Sequence, residues 1–189
     1  MMMDILPLRN FLNKKCKNIK FYYKNEGIIK KMTENIKKII GTLLYVVDGE
    51  KVLLGRKLRG FGAGKINGVG GKSQPGETIE ETMYRETREE FGIVPILPRY
   101  AGRLVYDEFF KGERVIFETH VFTCKKFEGK LVATDEMEPI WFDKNNLPIE
   151  DMFGDDEFWL PQVLNGSVID GFFKFDEEFN IIEKQVREI

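Results

Sequence analysis

A single histidine, His120, is all that 189 residues offer. That excludes a two-histidine metal site and leaves little room for a Ser/His/Asp triad or a Cys/His pair, so His120 is read as one more side chain on a strand. Cysteine is nearly as scarce. Cys16 and Cys124 stand far apart with no paired spacing around either, which removes zinc ribbons and CxxC redox centres and leaves two reduced thiols of an intracellular protein. No apolar run approaches the roughly 20 residues that span a bilayer, and the N-terminus lacks the continuous apolar core of a secretory signal. A soluble chain without membrane contacts is expected. Nor is there a basic surplus. Lys and Arg number 29 against 31 Asp and Glu, a formal net charge of −2, which gives no general attraction to a nucleic-acid backbone. A small anionic ligand would therefore need locally placed cations or a metal.

What charge asymmetry exists lies at the start. Arg9, Lys14, Lys15, Lys17, Lys20, Lys24, Lys30 and Lys31 face only Asp4 and Glu26 before residue 32, and the rest is net acidic. Residues 1–35 are read as a basic N-terminal extension and 36–189 as one globular domain. Three readings of the extension stay open: an organelle-targeting segment, a basic arm, or sequence upstream of a start at Met32.

From Ile39 the pattern turns strand-like. IIGTLLYVV and KVLLGRK flank the turn signal Asp48-Gly49 and predict a hairpin. RGFGAGKINGVGGKSQPGE follows with seven glycines, so the backbone there must turn sharply or approach something closely. Thr78-Ile79-Glu80-Glu81 has the form of a capping box, and Gly92 of a C-terminal stop, predicting a helix over 78–91 with Ile79, Met83 and Thr87 on one side. LVYDEFF and ERVIFETHVFTCKKF around Lys111-Gly112 predict a second hairpin, and PIWFD a further strand. A second helix is expected over 155–164, with Asp155 or Asp156 as its cap, before the chain returns to strand pattern. The sum is an α+β domain, a mixed sheet with helices on its faces.

On the first helix Glu86, Glu89 and Glu90 stand at i, i+3 and i+4, so their carboxylates share a face. Three like charges that close repel unless a cation joins them. The plain alternative is a solvated charged face, since six carboxylates lie between Glu77 and Glu90 against Arg85 and Arg88. Oxygen ligands without histidine or cysteine favour Mg²⁺, with Mn²⁺ as an alternative, over zinc. Such a cation neutralises charge on phosphates and activates water.

Gly71, Glu77 and the run Arg85-Glu86-Thr87-Arg88-Glu89-Glu90-Phe91-Gly92-Ile93 resemble the Nudix box, GX5EX7REUXEEXGU, at every fixed position. One departure is Thr87, where the family prefers a bulky apolar residue. The resemblance implies a Nudix fold, an α/β/α sandwich. It implies metal ligands at Glu86, Glu89 and Glu90, one of them a base towards water, with the carbonyl of Gly71 as a further ligand and Glu77 paired to Arg85. Arg85 stands too close in sequence to the trio to share their face, so an orienting ion pair suits it.

The flanks narrow the substrate. LLGRKLRGFGAGKINGVGGK before the box, and TDEMEPIWF, DMFGDDEFW and DGFFKF after it, resemble the oxidised purine nucleoside triphosphatases, the MutT homologues of animals. The resemblance implies a purine pocket with Asn67, Asp155 and Asp156 reading the base, and Phe61, Phe153, Met137 and Trp159 as apolar walls. It places Thr42 and Lys57 near sugar and phosphates, and Glu136 beside the metals as a further ligand or base. Two carboxylates side by side in a partly dry pocket cannot both easily ionise, so one would hold a proton and donate it. The plain alternative for Asp155-Asp156 is helix capping. Phe153 replaces a tryptophan and Arg103 a glutamine of the animal enzymes, two changes that bear on specificity.

The implied activity is attack of water on the α phosphorus of an oxidised purine triphosphate such as 8-oxo-dGTP or 2-hydroxy-dATP, releasing monophosphate and pyrophosphate and sanitising the nucleotide pool. A Nudix enzyme for a methylated purine triphosphate, a dinucleoside polyphosphate or ADP-ribose is the alternative. A module that binds nucleotides without cleaving them is a third reading, against which stands the full set of box glutamates. The expected partner is a nucleotide and not a nucleic acid. A monomer in the cytoplasm is expected, with a mitochondrial or nuclear pool as alternatives.

Overall fold

The computed structural model describes residues 36–189. The basic extension, Cys16 and Met32 lie outside the described residues. Ten strands and two α-helices follow in the order β1 (Lys37–Asp48), β2 (Lys51–Lys57), β3 (Ile66–Asn67), α1 (Ile79–Phe91), β4 (Ile93–Ile96), β5 (Arg99–Phe110), β6 (Glu113–Cys124), β7 (Lys126–Gly129), β8 (Met137–Asp143), α2 (Asp156–Leu164), β9 (Ile169–Phe175) and β10 (Ile181–Glu188). None of the described helices is long and apolar enough to cross a membrane.

Eight strands form one mixed sheet in the order β10-β9-β5-β6-β1-β2-β3, with β8 also paired to β2. The pairs β1/β6 and β5/β9 are parallel. The remaining pairs of this sheet are antiparallel. Alternation on β1 explains why the sheet needs cover on both sides. Leu44 and Val46 point to one face and pack with Met83 and Phe91 of α1. Tyr45, from the other face, packs with Trp159, Leu160 and Val163 of α2. A strand sends successive side chains to opposite faces, and a sheet apolar on both faces is stable only between two layers. The result is the expected α/β/α arrangement.

The local signals hold. Thr78 Oγ1 accepts the Glu81 amide at 3.1 Å, while the Glu81 carboxylate accepts the Thr78 amide at 2.8 Å, a reciprocal capping box. Gly92 ends α1 in the left-handed region at φ 71°. Thr87 is fully buried, and its hydroxyl is satisfied by donating to the Met83 carbonyl at 2.7 Å. A second sheet of β4 and β7 was not foreseen.

Two expected pocket walls prove to be core. Met137 is 1% exposed and packs in the α1-side cluster. Its thioether lies so close to Gly55 that a Cβ there would meet the sulfur at 2.1 Å. Trp159 is fully buried in the α2-side cluster. Arg103 also departs from expectation. It donates to Asp170 at 2.9 Å and lies 3.9 Å from Glu118, ion pairs along the sheet rather than a place in a ligand cavity.

Candidate functional site: two neighbouring cavities

The helix that carries the carboxylates is aimed by one arginine. Arg85 donates through Nε to Glu77 at 2.6 Å and through Nη2 at 2.9 Å, clamping the glycine-rich loop to α1 as expected. That guanidinium holds the Glu77 carboxyl down at about 2. Arg85 reaches further than its sequence position suggested. Its Nη1 also donates to Glu86 at 2.7 Å and to Glu89 at 3.0 Å. One guanidinium fork thus lies against carboxylates on both sides of it.

Glu86, Glu89, Glu90 and Glu136 line one cavity of about 520 Å³ together with Arg59, Thr134 and Asp135. Glu136 enters from the loop before β8 and is paired with Arg59. Glu90 is the most buried of the four at 4% exposure. Its carboxyl is pushed up to about 7, by burial first and by Glu86 and Glu136 after that, against the Gly70 amide and Lys57. Burial also raises Glu86, with Arg85 opposing. Among the described residues no three carboxylates are drawn tightly enough together to make a metal-ligand set by themselves. The donor set nevertheless fits a hard divalent cation. It is all oxygen, it includes a buried carboxyl whose charge is disfavoured by its neighbours, and a second positive charge there would relieve that repulsion.

A second cavity of about 1000 Å³ is lined in part by the glycine-rich loop. Its walls include Phe61, Phe110, Phe117, Phe153, Phe175 and Phe179. Phe61 and Phe153 stack with centroids 6.0 Å apart. Asn67 Oδ1 accepts from the Tyr45 hydroxyl at 3.1 Å and the Gly68 amide at 2.7 Å, so the side-chain NH₂ remains as a donor towards the cavity that Asn67 lines. Thr42 and Lys57 line the same cavity. Thr42 Oγ1 is the one buried side-chain polar atom among the described residues that lacks a hydrogen-bond partner.

Asp155 and Asp156 also face this cavity. They are 6% and 2% exposed. The capping alternative fails for Asp155, whose carboxylate does not bond the helix amides but accepts from the Tyr106 hydroxyl at 2.9 Å and Trp159 Nε1 at 3.0 Å. Trp159 therefore serves the site from behind, as a donor to an aspartate rather than as a wall. Asp156 accepts the Phe153 amide at 3.0 Å. Burial raises both acids, Asp156 well above the usual carboxylate range, with Asp155 adding to its rise. The Tyr106 and Trp159 donors favour the charged form of Asp155, while Asp156 has only the Phe153 amide, so a proton on the pair is favoured at Asp156.

Residues of the two cavities touch at Gly70-Gly71. Glu90 Oε2 accepts the Gly70 amide at 3.0 Å, and the Glu86 carboxylate lies so near Gly71 that a Cβ there would meet it at 2.6 Å. Both glycines line the aromatic cavity. The Gly71 carbonyl, expected as a metal ligand, accepts the Thr42 amide at 2.9 Å and keeps a second lone pair. Gly70 is required by space as well as by conformation. A Cβ would sit 2.0 Å from the Thr42 carbonyl at φ 155°.

Sequence reasoning missed Arg59, Lys72, Tyr106, Glu108, Phe110 and Phe117, all of which line one cavity or the other. Tyr106, Glu108 and Phe110 alternate on β5, and that period of two was the signal available for them.

Residues 37–163 match the NUDIX domain. Over 148 residues the chain is 41% identical to the oxidized purine nucleoside triphosphate hydrolase of Danio rerio, covering 78% of this chain and 94% of that one. The same-named protein of Mus musculus is 37% identical over the same shares. Among solved structures, the mutator MutT protein of Bacillus halodurans aligns with a TM-score of 0.68 and 28% identity over 78% of this chain and 97% of that one. With the box glutamates gathered on one cavity and the match running through most of the chain, this protein belongs to the Nudix hydrolase family.

Proposed function

We propose that this enzyme hydrolyses oxidised purine nucleoside triphosphates to monophosphate and pyrophosphate, breaking the bond between the α and β phosphates and so sanitising the nucleotide pool. The observation that carries the reading is the adjacency of two cavities. Gly70 and Gly71 line the cavity of aromatic rings and paired aspartates and touch Glu90 and Glu86 of the cavity of carboxylates, which suits a ligand with a polyphosphate at one end and a purine at the other. The names of the Danio rerio and Mus musculus relatives agree with it.

Nudix hydrolases use a divalent metal ion; here we take it to be Mg²⁺, with Mn²⁺ able to replace it. Glu86, Glu89, Glu90 and Glu136 are the residues that would hold it. Bound there, the ion would neutralise phosphate charge and lower the pKa of a nucleophilic water. The chain's own groups supply the rest. Arg85 orients Glu86 and Glu89. Glu90, poised near neutrality, suits proton removal from water. Thr42 Oγ1, buried without a partner, is satisfied by a sugar or phosphate oxygen. Asn67 donates, Asp155 accepts and Asp156 donates its proton, so the three read donors and acceptors along one edge of the base. Phe61 and Phe153 offer stacking faces.

We take the enzyme to be a monomer acting on free nucleotides in the cytoplasm. The test is pyrophosphate release with Mg²⁺ from 8-oxo-dGTP, 2-hydroxy-dATP, dGTP, dATP and ADP-ribose. Preference for an oxidised triphosphate is expected. Preference for ADP-ribose or for neither oxidised base would overturn the substrate reading and leave the Nudix chemistry standing.

A further inference from the structure

The aromatic cavity holds a third carboxyl that the reading above does not use. Tyr106, Glu108 and Phe110 all turn onto the cavity from β5. Two of them have evident partners. Tyr106 donates to Asp155, and Phe110 packs edge-on against Phe61 and Phe117. Glu108 stands between them, half-buried among rings. Burial pushes its carboxyl up to about 7, with Asp155 adding to the rise and Lys72 opposing it. Lys72 does not pair with it directly. Its ammonium rests on the ring wall, 4.8 Å from the Phe110 centroid and 5.4 Å from that of Phe117, a cation–π placement. A half-buried carboxylate without a donor is costly, and the open side of Glu108 is the ligand cavity.

Purine chemistry supplies a donor of the required kind. Oxidation of guanine at C8 converts ring nitrogen N7 from a bare acceptor into an N–H donor, and 2-hydroxyadenine in its lactam form likewise gains a ring N–H. A carboxylate facing that position accepts from the oxidised ring and meets a repelling lone pair on the ordinary one, which is discrimination by both attraction and repulsion. We propose that Glu108 is a specificity-determining residue of this cavity, accepting a ring N–H that oxidised purines carry and unmodified purines lack. The inference rests on the assignment of the aromatic cavity to oxidised purine triphosphates.

Because the carboxylate is the accepting form, discrimination weakens as pH falls through the range in which Glu108 takes up a proton. The charged and titratable groups that line the cavity with it are Asp155 and Asp156 at the start of α2, Tyr106 on its own strand, Lys57 of β2, Lys65 just before β3 and Lys72 from the box loop. From β6 come Phe117 and Thr119, and from beyond α2 Phe175 and Phe179, none of which titrates. Glu108→Gln isolates the effect, since it keeps size and shape while removing the charge and replacing one accepting oxygen by an NH₂ donor, which suits the bare ring nitrogen of an ordinary purine.

The experiment compares kcat and KM of the full chain with Mg²⁺ on 8-oxo-dGTP against dGTP, and on 2-hydroxy-dATP against dATP, for wild type and Glu108→Gln, from about pH 6 to about pH 8. Calorimetric binding of 8-oxo-dGMP and dGMP without metal, to wild type, Glu108→Gln and Glu108→Leu, gives a second readout independent of turnover. The expected result is an approximately tenfold loss of the oxidised-to-ordinary kcat/KM ratio in Glu108→Gln, carried by KM, with the pH dependence of the ratio flattened and the monophosphate preference reduced to match. An unchanged ratio and unchanged pH dependence in Glu108→Gln, beside a wild type that prefers oxidised bases, overturns the role of Glu108 alone. A wild type without that preference overturns the purine assignment and this inference with it.

Discussion

Carboxyl groups line both cavities, but their surroundings differ. In the acidic cavity Glu86 and Glu89 lie against the Arg85 fork and Glu136 against Arg59, while burial pushes the Glu90 carboxyl up to about 7, so a cation would relieve the carboxylates there. In the aromatic cavity Asp155 and Asp156 are almost wholly buried and are met by a hydroxyl, an indole N–H and a backbone amide rather than a cation. Charge there is penalised, so one carboxyl keeps its proton. The same functional group thus lies against arginine in one cavity and among rings and neutral donors in the other, two settings that favour different protonation states.

The comparison breaks most visibly at Glu90. Glu90→Gln should lower kcat by about 10³, within the range for loss of an acid–base group, while KM for the nucleotide changes little. Steady-state kinetics on 8-oxo-dGTP checks this, and a comparable loss in KM would move Glu90 from the chemistry to binding. In the aromatic cavity the effect should reverse in kind. Asp155→Asn should cost roughly 10- to 100-fold in kcat/KM for the oxidised base, and far less for a substrate recognised through a second sugar. Equal activity of wild type and Asp155→Asn would remove the aspartate pair from base recognition.

Two smaller effects test the difference in protonation. Cation binding must displace the proton that Glu90 retains up to about 7. Titration calorimetry in two buffers of different ionisation enthalpy should therefore show up to about one proton released per Mg²⁺ near pH 6, fading as pH rises beyond Glu90's own range. No release near pH 6 would place the ion away from Glu90. For Asp156 the sign is set by a folded-state pKa raised above the unfolded one. The folded chain then binds the proton more tightly, its contribution is present at low pH, and it is lost as pH rises. Asp156→Asn keeps an oxygen for the Phe153 amide and escapes that loss, so its Tm relative to wild type should rise with pH and exceed it by roughly 2–4 °C near pH 8. A Tm difference independent of pH would mean that Asp156 is not the proton holder.

Much of the catalytic half was legible in the residues. The capping box at Thr78, the stop at Gly92 and the 86/89/90 spacing are all local on one helix, and the Glu77–Arg85 pair came with the box. The recognition half was legible in part. Asn67, Asp155, Asp156, Phe61 and Phe153 do gather on one cavity. Met137 and Trp159 do not, because an apolar residue on a strand or helix announces that it is buried without announcing against what. Arg103 was read as a change of specificity and is held by Asp170 and Glu118 instead. Glu108 passed unnoticed in a run of alternating residues whose cavity face only the completed sheet defines.

The sequence by itself determined most of the elements, the box-bearing helix among them, since caps, turns and i, i+3, i+4 neighbours are set within a few residues of chain. Tertiary structure decided in which carboxyls the charged form is disfavoured. Asp155 meets Tyr106 across 49 positions, and Glu90 meets Gly70 across 20. Burial, and with it the state of every titratable group in the two cavities, is a property of segments brought together from far along the chain, and no local pattern encodes it.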